Sequence, residues 1–289
     1  MKFKDWVYFI LLSFVWGSSF LFIKIGLQEV GPATLVAFRL LFGLLGLTAV
    51  SLYFKPKFPT DRNTWLALLL LGVTNTTLPF VLISWGEQHI DSGVAAVLNA
   101  TVPIFAVLLG HSVLHDEKLT RVRFLGVAIG FSGVVMLMNQ SLGVENFTQN
   151  LLGQSAVVLA SLLYAGSSVF ARWRLTAVPP MVQALVTVAV ADVLSWILVL
   201  FFEPLHEFPQ LPNTWFAFLW LGLLGSCIAY LLYFSLIRNI GATKTTMVTY
   251  IMPPIGVILG LVFLQEKLDW NLALGLLFIV GSVRLVNKK

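Results

Sequence analysis

Asp192 and Arg39 are the ionisable side chains set deepest in apolar stretches of this 289-residue chain. Asp192 lies about 12 residues into the run 180–202, and at ~1.5 Å of helix rise per residue that places it roughly 18 Å in, near a bilayer centre. A charge at that depth is costly and faces a cavity or a partner. Asp192 therefore reads either as an acid that couples transport to protons or contacts a cation, or as a protonated, hydrogen-bonded structural carboxyl. Arg39 lies about seven residues into the run 32–54, roughly 10 Å down by the same rise. Its guanidinium keeps its charge in almost any site and grips carboxylates bidentately. It reads as a clamp for a solute carboxylate, or as a structural partner of Asp192 or of helix-terminal carbonyls. Lys24, near the end of the first run, is read as snorkelling.

Around these charges, polar and aromatic residues fall on stripes. Gly72, Asn75, Thr76 and Pro79 share one helix face, as do Gly222, Gly225, Ser226 and Ala229, and Phe80 and Tyr230 follow as matched aromatics. The glycines suit close helix approach, whereas Asn75 needs a partner, because an unsatisfied amide in lipid is expensive. A second stripe of Asn99, Pro103, Ala106 and Gly110 is echoed by Thr249, Pro253, Gly256 and Gly260. Pro103 and Pro253 each remove a backbone hydrogen bond near mid-helix, which makes them gating candidates or tolerated kinks. Trp16, Trp85, Tyr164 and Tyr250 offer rings that stack on a solute or belt a membrane interface. The substrate-binding candidates are these four rings with Arg39, Asn75, Phe80, Asn99, Tyr230 and Thr249; Asp192 is the coupling candidate.

Other chemistry finds no support. His89, His111, His115 and His206 have no metal-ligand spacing, and no Gly-Lys-Ser/Thr phosphate loop occurs. No catalytic residue, metal or cofactor is expected, and an intramembrane enzyme is kept only as a remote alternative. Glu117 and Glu266 stand ahead of matching helices, where acidic residues favour the local dipole. The lone cysteine, Cys227, lies in an apolar stretch and reads as packing.

The elements that must carry these residues are membrane helices. The chain is 58% hydrophobic and only 11% charged, with a mean hydropathy of +0.91, against roughly a quarter charged in soluble domains. Apolar runs at about 6–26, 32–54, 64–86, 93–114, 121–139, 151–171, 180–202, 213–236, 242–264 and 270–286 each suffice to cross a bilayer. They are continuous rather than alternating, so helices rather than barrel strands are expected. With a cytoplasmic N-terminus, every Lys and Arg of the 18 except Lys24, Arg39 and Lys267 falls on the cytoplasmic side. That positive-inside bias predicts both termini inside. The net charge of +5 is spread along the chain with no basic stripe, so no nucleic-acid partner is expected. Lys2 and Lys4 ahead of an apolar run imitate a signal peptide, but the run is long enough to span and is expected to remain.

The chain also repeats itself. Gly17-Ser18-Ser19-Phe20 returns as Gly166-Ser167-Ser168-Val169, Thr64-Trp65 as Thr214-Trp215, Pro103 as Pro253, and Glu117-Lys118-Leu119 as Glu266-Lys267-Leu268. Each copy, 1–140 and 151–289, holds five spans, and an odd number forces the second copy to enter from the opposite side. Inverted repeats are a recurring transporter plan, since two similar halves exchange conformations around a central site.

Trp16-Gly17-Ser18-Ser19-Phe20, Arg39, the segment Gly86-Glu87-Gln88 through Ala95-Ala96 to Pro103, and Ile240-Gly241-Ala242-Thr243 leading to Pro253 and then Glu266 together resemble the EamA-type transporters of the drug/metabolite transporter superfamily. The likeness covers essentially the whole chain. It implies an all-α integral membrane fold of ten transmembrane helices, two inverted five-helix repeats around a central cavity, working without a cofactor. It also implies export of amino acids or other small metabolites. The expectation is a multi-pass plasma-membrane secondary transporter, the membrane being the inner one if the cell is Gram-negative, whose partners are a small solute and the lipid bilayer. A monomer is compatible with this plan, and an uncoupled facilitator for sugars, nucleotides or drugs is the alternative.

Overall fold

A computed structural model describes residues 2–114, 121–139, 147–203, 209–267 and 270–286. All regular structure among them is helical: α1 (Phe3–Gly26), α2 (Pro32–Phe54), α3 (Arg62–Gly86), α4 (Ser92–Val113), α5 (Arg121–Asn139), α6 (Phe147–Arg174), α7 (Pro180–Phe202), α8 (Pro212–Ile240), α9 (Ala242–Phe263) and α10 (Trp270–Val286). Among the described residues, eight helices are long and apolar enough to cross a membrane, which leaves out α5 and α10. Those two carry shorter apolar stretches and pack against each other. Glu117, His115, Asn146 and His206 lie outside the described residues.

Local sequence sets the ends of these rods. Pro32, Pro180 and Pro212 open α2, α7 and α8, where a missing N–H costs nothing and the fixed φ suits the first turn. Asp61 caps α3 by accepting from the Thr64 N–H at 2.8 Å. Gly241, at φ +89°, turns the chain between α8 and α9, a conformation that side chains resist.

Four rods are irregular inside. α3 is π-wound over Val73–Thr77 and α8 over Trp220–Ile228. α4 breaks at Ala100–Thr101, just before Pro103; α9 passes through a 3₁₀ turn at Met247–Tyr250 and restarts just before Pro253. Proline strips an interior hydrogen bond from each helix, and the chain answers with a break instead of a smooth bend.

Packing brings these irregular segments inward. α1 lies against α8 and α9, α2 against α7 and α8, and α4 between α6 and α9. The α2–α8 contact is backbone-close: a Cβ at Gly222 would fall 2.5 Å from the Phe42 Cβ and 2.7 Å from the Arg39 carbonyl oxygen. Outward surfaces carry exposed apolar side chains such as Leu45, Leu52, Leu200, Val262 and Phe263, as a lipid-facing wall requires.

The connections at one end are tied by carboxylates; we call it the acidic end. Glu29 accepts from the Gln210 and Leu211 N–H groups and from the Thr214 hydroxyl at the start of α8. Glu203 accepts from Ala33 and Thr34 N–H at 3.1 and 2.9 Å, at the start of α2. Glu266 accepts from Ser92 and Gly93 N–H at 2.8 and 3.1 Å, at the start of α4. A helix start leaves N–H groups unpaired and carries partial positive charge, so each tie satisfies donors and dipole together.

Candidate functional site

At the centre of the bundle is a cavity of about 60 Å3. A single water needs roughly 10–15 Å3 on this scale, so the space holds a few waters, and a metabolite enters only if the walls part. α1 supplies Trp16, Ser19, Phe20 and Ile23, which recur at helical spacing on one face. α2 supplies Arg39; α3 supplies Phe80 and Ile83; α6 supplies Tyr164; α8 supplies Tyr233. The broken helices complete it, with Asn99 and Val102 flanking the gap in α4, and Thr245, Thr246, Thr249 and Met252 spanning the irregular turn of α9.

Arg39 is 3% exposed. Its Nε donates to Ser226 Oγ at 3.3 Å, and its guanidinium carbon sits 3.8 Å over the Phe80 ring. Ser226 belongs to the π-wound segment and reaches Arg39 because Gly222 lets α2 and α8 touch. A desolvated cation–π contact is worth about 2 kcal/mol, far less than the cost of stripping a guanidinium of water. Among the described residues no carboxylate pairs with Arg39, so Asp192 does not neutralise it. The remaining guanidinium N–H groups are free to meet an anionic group in the cavity.

The aromatic residues form a wall. Trp16 packs 5.2 Å from Tyr233 and 6.2 Å from Tyr230, and Tyr230 meets the Phe80 ring edge-on at 6.2 Å. The Trp16 indole donates to the Gly225 carbonyl at 3.0 Å, which ties α1 to the π-wound turn of α8. Behind the wall, Tyr230 shares a hydrogen bond with Thr76 at 2.9 Å and donates to the Asn75 backbone carbonyl, while Tyr233 donates to Asn75 Oδ1 at 3.4 Å. Asn75 is thus satisfied by tyrosines and supports the wall from one layer back.

Of the residues singled out in the sequence, Trp16, Arg39, Phe80, Asn99, Tyr164 and Thr249 line the cavity. Asn75 and Tyr230 back it. Trp85 lies elsewhere, meeting the His89 ring edge-on at 4.7 Å. Tyr250 is buried outside the lining, its hydroxyl without a partner. Asp192 is 6% exposed and also apart from the cavity, and its Oδ1 has no hydrogen-bond partner. Pro103 and Pro253 stand just past the breaks that contribute to the lining.

Sequence reasoning passed over Tyr233, Ser19 and the Thr245–Thr246 pair, although each stands three or four residues from a chosen residue and shares its face. Glu87 entered that reading as part of the segment Gly86-Glu87-Gln88, without a role. Glu87 is 0% exposed and neither carboxylate oxygen has a hydrogen-bond partner. Lying just past α3, it has a carboxyl held well above the ordinary glutamate range, chiefly by burial; Lys24 and Arg39 pull the other way and the Glu266 charge adds to the rise. Glu29 is shifted oppositely, held low first by the Thr214 hydroxyl and then by the backbone N–H groups it accepts.

Helices long and apolar enough to span, a lipid-facing wall and a small internal cavity that joins aromatic side chains to Arg39, Asn99 and threonines define an integral membrane protein. The chain belongs to the EamA-like transporter family, whose model matches residues 5–139 and again 151–288. It is similar to the Uncharacterized inner membrane transporter YedA of Escherichia coli (strain K12), 32% identical over 95% of this chain and 88% of that protein. A Probable terminal-alkyne amino-acid exporter of Streptantibioticus cattleyicolor is 27% identical over 100% of this chain and 95% of its own length. A solved structure described only as the crystal structure of a protein matches with a TM-score of 0.74 at 20% identity, covering 99% of this chain and 97% of that one. It supports the fold alone. The protein is a multi-span membrane transporter.

Proposed function

We propose that this protein is a secondary transporter that exports small amphipathic metabolites, amino acids in the first place, by alternating access. The observation that carries the reading is Arg39: a buried cation without a carboxylate partner, held over an aromatic ring in a cavity walled by aromatic and hydroxyl side chains. A solute carboxylate would pair with Arg39. Its apolar part would lie against Trp16, Phe80, Tyr164 and Tyr233, and its polar groups would meet Asn99 and the Thr245–Thr249 turn. The amino-acid exporter among the relatives supports the same class of solute.

The architecture that goes with this reading has ten spans, α1–α5 and α6–α10 forming two inverted repeats over 1–140 and 151–289. Both termini face the cytoplasm in a plasma membrane, and the acidic end faces outside. Matched irregularities support the duplication: π windings recur in α3 and α8, and breaks before a proline recur in α4 and α9. Discontinuous helices at the centre of inverted repeats are where such carriers bind and hinge, so Pro103 and Pro253 are assigned to gating. The 60 Å3 cavity then corresponds to a nearly closed state.

The test is flux. Purified protein in liposomes is offered radiolabelled amino acids, amines and nucleosides, with and without an imposed pH gradient. Saturable movement of at least one amino acid is expected, with competition by other amino acids. Saturable movement of amines or nucleosides alone would reject the carboxylate clamp.

A further inference from the structure

Glu87 is a buried acid beside the cavity whose chemistry the cavity reading leaves unused. It continues the face of α3 that lines the cavity, one turn beyond Ile83 and two beyond Phe80. Its carboxylate is fully enclosed and accepts no hydrogen bond. Lys24 reaches from α1, but its ammonium donates to the backbone carbonyls of Glu87 and Ile90, not to the carboxylate. An ionised carboxylate in such a place needs a touching cation or several donors, and no protein group among the described residues donates to either oxygen. That environment favours the neutral acid.

Its surroundings make that state conditional. The charges facing it are Lys24 on α1 and Arg39 on α2, which favour ionisation, and Glu266 beyond α9, which opposes it. α6 meets this turn with Gly153 and Val157 against Gly86, and His89 on the same connection is turned onto Trp85. Glu266 is itself held by the Ser92 and Gly93 N–H groups, and it fits only because residue 260 is glycine, where a Cβ would lie 2.3 Å from a carboxylate oxygen. If that tie parts, a neighbouring negative charge withdraws and the end above Glu87 opens.

We propose that Glu87 is a proton-binding site of the transport cavity, occupied while the acidic end is closed and exchanging its proton with water when the Glu266 tie opens. The step is a proton passing between the carboxyl oxygen and water, with nothing else formed or broken. The proposal rests on the cavity being the transport path, and makes flux depend on the pH at the acidic end through Glu87.

Infrared spectroscopy of the purified protein reads the proton directly. At neutral pH the wild type and Asp192→Asn are expected to show a protonated-carboxyl band that Glu87→Gln lacks. Glu266→Gln, which leaves Glu87 in place should Glu87→Gln fold poorly, is expected to move the titration of that band to lower pH. A wild type without the band, a band that survives in Glu87→Gln, or a titration indifferent to Glu266→Gln overturns the proposal. In liposomes loaded with labelled L-phenylalanine, efflux through the wild type is expected to vary with external pH and that dependence to be lost in Glu87→Gln; its persistence overturns the coupling. Absence of L-phenylalanine efflux through the wild type counts against the amino-acid reading, and the infrared result then decides Glu87 alone.

Discussion

At the scale of single residues, the proposed site turns on a buried cation and a buried acid that are unequally legible in the sequence. Arg39 was legible because an arginine inside an apolar run has few explanations. Glu87 was not, because it sits at the end of its run, where a carboxylate is ordinarily solvated; only the approach of α1 and of the segment after α9 encloses it. Asp192, the deepest acid by position, is buried away from the cavity, since depth along a helix says nothing about which way the side chain faces. If Arg39 clamps a solute carboxylate, charge and fork geometry should matter separately. Arg39→Gln is expected to lower kcat/KM for L-phenylalanine efflux by tenfold or more, about 1.4 kcal/mol or more, and Arg39→Lys to recover only part, because an ammonium cannot make the bidentate contact. Equal fluxes in all three proteins would remove the clamp.

At the scale of elements, nearly every helix could be read from its apolar run, and several helix starts from their prolines. The windings inside the helices could not. Pro103 and Pro253 signal disturbed hydrogen bonding, but whether the chain bends, breaks or tightens into a 3₁₀ turn depends on what neighbouring helices offer the freed groups. The π winding of α3 ends just before Pro79, whereas that of α8 carries no proline and has no local sequence signal that we recognise. Packing tests follow from the glycines. Gly222→Ala pushes a methyl into the Phe42 side chain and the Arg39 carbonyl, an overpacking that costs about 1–3 kcal/mol and should lower the melting temperature in detergent. Gly166→Ala meets nothing nearer than Leu109 at 3.8 Å and should melt within a degree or two of the wild type or slightly above it, because alanine favours helix by up to ~1 kcal/mol. If both variants melt alike, the α2–α8 contact is looser than described. Pro103→Ala and Pro253→Ala restore an N–H to each broken helix. If the breaks are hinges, both variants should fold and bind but turn over more slowly, seen as a fall in kcat with little change in KM; unchanged kcat would leave the prolines as tolerated kinks.

At the scale of the whole molecule, the ties at the acidic end cross between the proposed halves in both directions: Glu29 reaches α8, while Glu203 and Glu266 reach α2 and α4. Three carboxylates on three helix starts tie that end together through hydrogen bonds that water can replace. Charge also makes it pH-sensitive. Glu29 is held below the ordinary glutamate value by its partners, so its contribution is complete above the ordinary carboxylate range and is lost as pH falls through the lowered value. Acid should loosen the α8 tie, and Glu29→Gln should remove that part of the acid response. Accessibility tests both orientation and lock. In a Cys227→Ser background, cysteines placed at Asn146 and His206 should react with an impermeant thiol reagent from outside and one at Lys57 should not; the reverse pattern would invert the orientation. A cysteine at Thr249, inside the cavity, should react slowly from outside while the ties hold. Combining Glu203→Gln with Glu266→Gln removes two anionic caps, each worth roughly 0.5–2 kcal/mol, and should raise that reactivity severalfold or more. If Thr249→Cys reacts no faster with both carboxylates neutralised, the acidic end is held by packing, and the carboxylates only cap helices.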